Sequence, residues 1–196
     1  MSHDTKGRMT EIRWHARAGQ GAVTAANLVA ESALAEGRYF QAMPEFGPER
    51  MGAPLKAFTR LSDDPIEVSN NVEFPHIIVV LDDTLIGVVD VCEGLCEDGT
   101  VIVNTTKSSA EIREVLQVAD SVRVATIPAT EIALETIKRN IPNTPIVGAL
   151  AKVTGVVALD SVLSQLELSF GRKFSQALID ANLDSVRRAY EEVVVE

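Results

Sequence analysis

The chain has 196 residues, 46% of them hydrophobic, and sets 18 Lys and Arg against 28 Asp and Glu for a formal charge of −10 at pH 7. That apolar content over this length supports one substantial core, whereas the acidic balance excludes nucleic-acid binding through a broad basic surface, which needs clustered cations. No apolar run reaches membrane-spanning length, and polar Met1–Thr10 lacks the apolar core of a secretory signal, so a cytoplasmic protein is expected, away from any membrane, with residues 1–10 as a flexible extension and 11–196 as a single domain.

Glu11–Ala16 alternates, with Ile12, Trp14 and Ala16 on one face and Arg13, His15 and Arg17 on the other, which predicts a strand. The run Arg17-Ala18-Gly19-Gln20-Gly21-Ala22 ends that strand and opens Ala22–Leu34, a helix rich in small and apolar residues without Gly or Pro. A strand, a glycine-bearing turn and a helix N-terminus make a potential anion cradle, because unpaired helix amides and the helix dipole both favour negative charge. The loop holds only the G-x-G part of a dinucleotide fingerprint, with Thr24 and Ala25 where the last glycine would stand. A tight turn serving chain reversal alone is therefore an equal reading. Gln20, a polar amide between the glycines, is expected to reach a ligand or partner. Arg13, Arg17, Arg50, Lys56 and Arg60 are near enough in sequence to form a local basic pocket.

Tyr39–Met43 reads as a strand, and residues 44–54 that follow contain three prolines and two glycines, which predicts an ordered, functional loop. Leu55–Leu61 and Ile66–Val68 read as two short strands joined by a tight turn at Ser62-Asp63-Asp64-Pro65, a hairpin that makes the sheet mixed. Ile77–Leu81 is a continuous apolar run, as a strand buried on both faces requires, and Asp82-Asp83-Thr84 at its end either cap the next turn or face a crevice. Cys92 and Cys96 are the only cysteines, too few for a four-cysteine iron–sulfur or zinc site; their spacing suggests one helical turn and buried structural thiols.

Thr100–Val103 and Val122–Ile127 are further strands, with helices expected over Ser109–Val118 and Thr130–Arg139. Asn140–Pro145 breaks the second helix, and Ile146–Thr154 resumes as a nearly uncharged, buried one. Asp160–Glu167 and Ser175–Val194, joined by a turn at Phe170–Phe174, complete a helical C-terminal third. The expected fold is α/β: a three-layer, Rossmann-like mixed sheet with an antiparallel hairpin. Its strand ends would gather the Gly19 loop, Asp82, Asn104 and Ala129–Thr130 along one edge, the default ligand crevice.

Four stretches carry a resemblance: RWHARAGQGAVTAA, PEFGPERMGAP, IIVVLDD, and IPNTPIVGALAKVTG with its trailing FGRKF. In order and spacing, from about Glu11 to Tyr190, they resemble the gamma chains of the pyruvate:ferredoxin oxidoreductase family. The resemblance implies one piece of an assembly with alpha, beta and delta chains. That assembly converts pyruvate and coenzyme A to acetyl-CoA and carbon dioxide and reduces ferredoxin. It implies thiamine diphosphate, magnesium and the iron–sulfur clusters in the partner chains, no catalytic residue here, and no cofactor bound by this chain alone. A coenzyme A site shared with the partners is implied instead, with Gly19, Gln20, Gly21 and Ala22 presenting backbone amides and Arg17 supplying charge. Phe46, Arg50 and Met51 are the expected contacts with the alpha, beta and delta chains. Pyruvate is not distinguished from related 2-oxoacids.

Two other readings stay open: a free-standing nucleotide-binding enzyme, with Glu45 as the ribose-binding acid, and a structural subunit without a ligand. His15 and His76 are isolated and His3 lies in the extension, so no nucleophile–base pair is evident.

Overall fold

The computed structural model describes residues 9–44, 52–171 and 173–196. Alternation in β1 (Thr10–Arg17) places Ile12, Trp14 and Ala16 beneath α1 (Ala22–Ala35), while Arg13 and His15 are buried on the opposite face. Both faces of this central strand are therefore covered. β1 pairs in parallel with β4 (Ile77–Val80), which continues in parallel to β5 (Thr100–Asn104) and β6 (Arg123–Ile127). On its other side β1 pairs antiparallel with β3 (Pro54–Ser62), and β3 in turn with β2 (Tyr39–Pro44). The seven-stranded order is β2-β3-β1-β4-β5-β6-β7, closed by β7 (Val194–Val195) antiparallel to β6.

Side chains from alternate positions of the inner strands build two cores. Ile77, Val79 and Ile102 meet α1, α3 (Ala129–Thr136), α4 (Asn143–Thr154), α5 (Leu159–Phe170) and α6 (Gln176–Glu192) on one face. Ile78, Val80, Val101 and Val103 meet α2 (Ser109–Leu116) and the Leu85–Val91 segment on the other. The expected three layers and mixed sheet are present.

The antiparallel hairpin is not where the sequence put it. Ile66–Val68 forms no strand, because both edges of β3 are already occupied, by β1 and β2; Val68 is 42% exposed and its carbonyl accepts a bond from the Gln41 side chain. The hairpin is instead β2–β3, whose strands flank the proline-rich loop. Cys92 and Cys96 sit in irregular turns rather than on a helix, both free and half-buried. Asp90 lies two residues before Cys92 and caps its amide; that is the turn chemistry expected where a short polar side chain competes with the helix. The terminal helix stops at Glu192, and Val194–Val195 turn back to pair with β6.

Among the described residues no open basic pocket forms either. Arg13 donates to the Val72 and Glu73 carbonyls at 2.9 and 3.1 Å, and Arg60 pairs with Glu11 at 2.8 Å while 1% exposed. Lys56 lies 3.9 Å from Glu93. Strand alternation does put these cations on one face, but that face is covered, and a buried cation persists only with partners. Arg50 lies outside the described residues.

Candidate functional site

At the carboxyl end of β1 the chain turns sharply: the Gln20 amide donates to the Arg17 carbonyl at 3.1 Å, with Gly19 at φ +101°. Gly21, at φ +82°, then forms the N-cap of α1. Both values lie in the left-handed region that glycine adopts without penalty. Among the described residues no side chain caps α1, and no acid occupies its first turn, so its leading amides have no intrahelical acceptor and the positive end of the dipole stands open. Gly21 is required for a second reason: a Cβ there would fall 2.5 Å from Asn143 Nδ2, at the start of α4.

The loop is held from outside the helix. The Gln20 carboxamide accepts from the Arg17 amide at 2.8 Å and donates to Asp82 Oδ2 at 2.7 Å. Arg17 donates to Thr84 Oγ1 at 2.9 and 3.1 Å and to the Gly52 carbonyl at 3.2 Å, and lies 3.4 Å from Asp82. Asp82 also caps the Asp83–Leu85 turn through the Thr84 amide. Burial pushes its carboxyl pKa upward, but the bonds from Thr84 and Gln20 and the Arg17 charge outweigh burial and hold it below the usual value. Asp82 thus both caps and faces the loop.

The remaining strand ends join the same edge. Asn104 donates to the Leu81 carbonyl and to Thr130 Oγ1, each at 2.8 Å, and accepts from the Thr130 amide; Thr105 donates to Asp83 at 2.7 Å. The Gly19 loop, Asp82, Asn104 and Thr130 are therefore brought together as strand order suggested. Gln20 and Arg17, read from sequence as groups reaching for a ligand, have their polar atoms engaged in the loop. Ala22 is buried at the first helical position and Gly19 is exposed. Glu45, Phe46, Arg50 and Met51 lie outside the described residues. The residue missed from sequence is Asn143, where residues 140–145 read only as a helix break; an Asn-Thr-Pro opening of a nearly uncharged helix was the available signal.

A family model, pyruvate ferredoxin/flavodoxin oxidoreductase, matches residues 11–192. Pyruvate synthase subunit PorC of Thermotoga maritima is 49% identical over 183 residues, covering 93% of this chain and 94% of the relative. The crystal structure of pyruvate oxidoreductase subunit PORC from the same organism has a TM-score of 0.84 at 44% identity, covering 98% of this chain and 99% of the other. The common gamma subunit of the pyruvate/ketoisovalerate oxidoreductases of Pyrococcus abyssi is 48% identical over 95% of this chain and 98% of its own length. At 14% identity, a 2-oxoglutarate:ferredoxin oxidoreductase from Magnetococcus marinus, solved with 2-oxoglutarate, coenzyme A and succinyl-CoA bound, shares the fold with a TM-score of 0.70 over 96% of this chain and 31% of the other. With the family model spanning nearly all of the sheet and helices described above, the chain belongs to the pyruvate ferredoxin/flavodoxin oxidoreductase family, as a chain of its gamma type.

Proposed function

We propose that this chain, within a cytoplasmic assembly with alpha, beta and delta chains, binds the diphosphate of coenzyme A at the N-terminus of α1 and so positions the thiol acceptor of the oxoacid-derived acyl group. The observation that carries the reading is an uncapped, acid-free helix start on a loop whose glycines are both left-handed and whose frame is fixed by Gln20, Asp82 and Arg17. A preformed set of amides binds an anion without first ordering the loop. Coenzyme A bound to the Magnetococcus marinus enzyme of the same fold adds support.

The division of labour differs from one in which each loop residue touches the ligand. Gly19, Gly21 and Ala22 supply backbone geometry, Gln20 locks the turn, and Arg17 positions it, with its charge offset by Asp82 at 3.4 Å. Thiamine diphosphate, magnesium and iron–sulfur clusters, held by the partner chains, supply decarboxylation and electron transfer to ferredoxin. This chain's own part is to bind and orient. A nucleotide-binding enzyme in its own right would use the same amides but lacks any evident catalytic pair.

Val23 gives a clean test, since it is 37% exposed in the first turn. Val23→Glu favours the helix dipole, so the fold is retained, yet sets a carboxylate where the diphosphate binds. The KM for coenzyme A in the assembled enzyme should rise about five- to tenfold, with the coenzyme-independent decarboxylation half-reaction unchanged. An unaltered KM would remove α1 from the coenzyme site.

A further inference from the structure

Residues 61–106 contain ten Asp and Glu and no Lys or Arg, so this one stretch carries a net charge equal to that of the whole chain. Two loops from it converge on Arg13, which is buried and donates to the Val72 carbonyl at 2.9 Å, to the Glu73 carbonyl at 3.1 Å and to the Glu93 carbonyl. Their junction admits no side chain at Gly94, where a Cβ would fall 2.1 Å from the Glu73 carbonyl oxygen. Further bonds fix the backbone around Phe74. Cys96 donates through Sγ to the Phe74 carbonyl at 3.6 Å and through its amide to the Pro75 carbonyl at 3.1 Å, and the His76 amide donates to the Glu11 carbonyl at 2.9 Å. Each carbonyl from Val72 to Pro75 thus has a donor, yet Phe74 itself is 66% exposed.

A single exposed apolar side chain is ordinary; the setting of this one is not. Its backbone is already ordered, so burying the ring against a partner requires little further ordering. Three exposed carboxylates frame it: Glu73 is its chain neighbour, and Glu93 and Glu97 adjoin Gly94 and Cys96, the residues packed beside it. Among the described residues Glu73 and Glu97 enter no ion pair, and Glu93 lies 3.9 Å from Lys56.

We propose that Phe74, framed by Glu73, Glu93 and Glu97, anchors a docking surface for a basic protein partner, an apolar slot rimmed by Lys or Arg on another chain of the same assembly. The inference rests on the reading of this chain as one piece of an assembly, and it is independent of the coenzyme site. Phe74 precedes β4, at the amino edge of the parallel strands, whereas the Gly19 loop lies at their carboxyl edge. Charge selects the occupant. Nucleic acid and anionic lipid are repelled by a face without cations, and a second copy docked across a two-fold axis would set the same carboxylates against each other. A cationic rim is attracted during approach, and closing the slot over the ring excludes water from the flanking pairs. The ring then supplies most of the affinity, and the carboxylates supply rate and choice of partner.

The test mixes the chain with the other chains of the enzyme, prepared without it, and follows association and dissociation at low and high salt. Phe74→Ala should weaken binding about thirtyfold, chiefly through faster dissociation. Combined Glu73→Gln, Glu93→Gln and Glu97→Gln should slow association about tenfold at low salt and flatten its salt dependence. All four side chains are exposed, so thermal midpoints should stay at the parent's value, and the assembly saturated with either variant should keep the parent's KM for coenzyme A. Parental affinity in Phe74→Ala, or a parental association rate in the triple variant, overturns the surface and leaves the assembly reading intact. Self-association of the isolated chain that disappears in Phe74→Ala would assign the surface to a second copy and overturn the basic partner. A parent chain that binds none of the other chains removes the assembly reading and this surface together.

Discussion

Gln20 has one acceptor and two donors in its side-chain amide, and the loop depends on two of these three: the Arg17 amide at 2.8 Å and Asp82 at 2.7 Å. Truncation to Ala deprives a part-buried backbone donor and a carboxylate of partners at once, which costs about 1–3 kcal/mol. Gln20→Glu should be worse at neutral pH, because it sets a second carboxylate against Asp82. Asp82 has its pKa held below the usual value in the fold, so its contribution to stability is complete above the ordinary carboxylate range and is lost as pH falls through the folded value. The extra penalty of Glu over Ala should accordingly shrink as the medium becomes acid enough to protonate the pair. Denaturant midpoints of the two variants across pH read this directly; parallel curves would show that no such pair forms.

Elements were legible wherever local periodicity decides them, and illegible where tertiary pairing does. The 22–34 helix, the apolar strand at 77–81 and the strand at 100–103 appear within a residue or two of their expected bounds, since each is set by its own alternation or its own apolar run. Ile66–Val68 has the composition of a strand and no free edge to join, and β7 is two residues long, below the reach of any period. The site divides the same way. The glycine turn is a local signal, whereas its dependence on Asp82, 62 positions away, and on Asn143 requires the folded chain. Gly148 shows the same limit. In sequence it is a flaw in an otherwise good helix, but a Cβ there would meet the Val186 carbonyl of α6 at 2.1 Å, so it permits the contact of α4 with α6. Gly148→Ala should therefore destabilise by about 1–3 kcal/mol despite improved helix propensity. Gly155, at φ +64° with open space around it, should lose only about 1 kcal/mol on the same change. A reversed ranking of thermal midpoints would mean that α4 and α6 readjust freely.

For the molecule as a whole, acid sensitivity is expected to begin at the covered face of the central strand. His15 is 1% exposed, and its Nε2 is buried without a hydrogen-bond partner. Burial, followed by the Arg13 and Lys56 charges, lowers its pKa to about 3, against a bond to the Val91 backbone that favours the charged form. The folded chain therefore keeps this imidazole neutral where the unfolded chain, with a value near 6.5, takes up a proton. Stability contributed by the neutral form is whole above about pH 6.5 and declines as pH falls toward 3, by an amount on the order of 4–5 kcal/mol across the window. Carboxylates titrate lower, so the interval between about pH 6 and 5 separates histidine titration from theirs. There the unfolding free energy of the parent should fall with a slope approaching one proton, about 1.4 kcal/mol per pH unit. His15→Gln, which retains a side-chain donor but cannot titrate, should flatten that limb whatever it costs at pH 7. Urea unfolding in steps of pH measures both slopes. If the variant kept the parent's slope, the proton would be entering elsewhere, and the covered face of β1 would not be what limits the fold in acid.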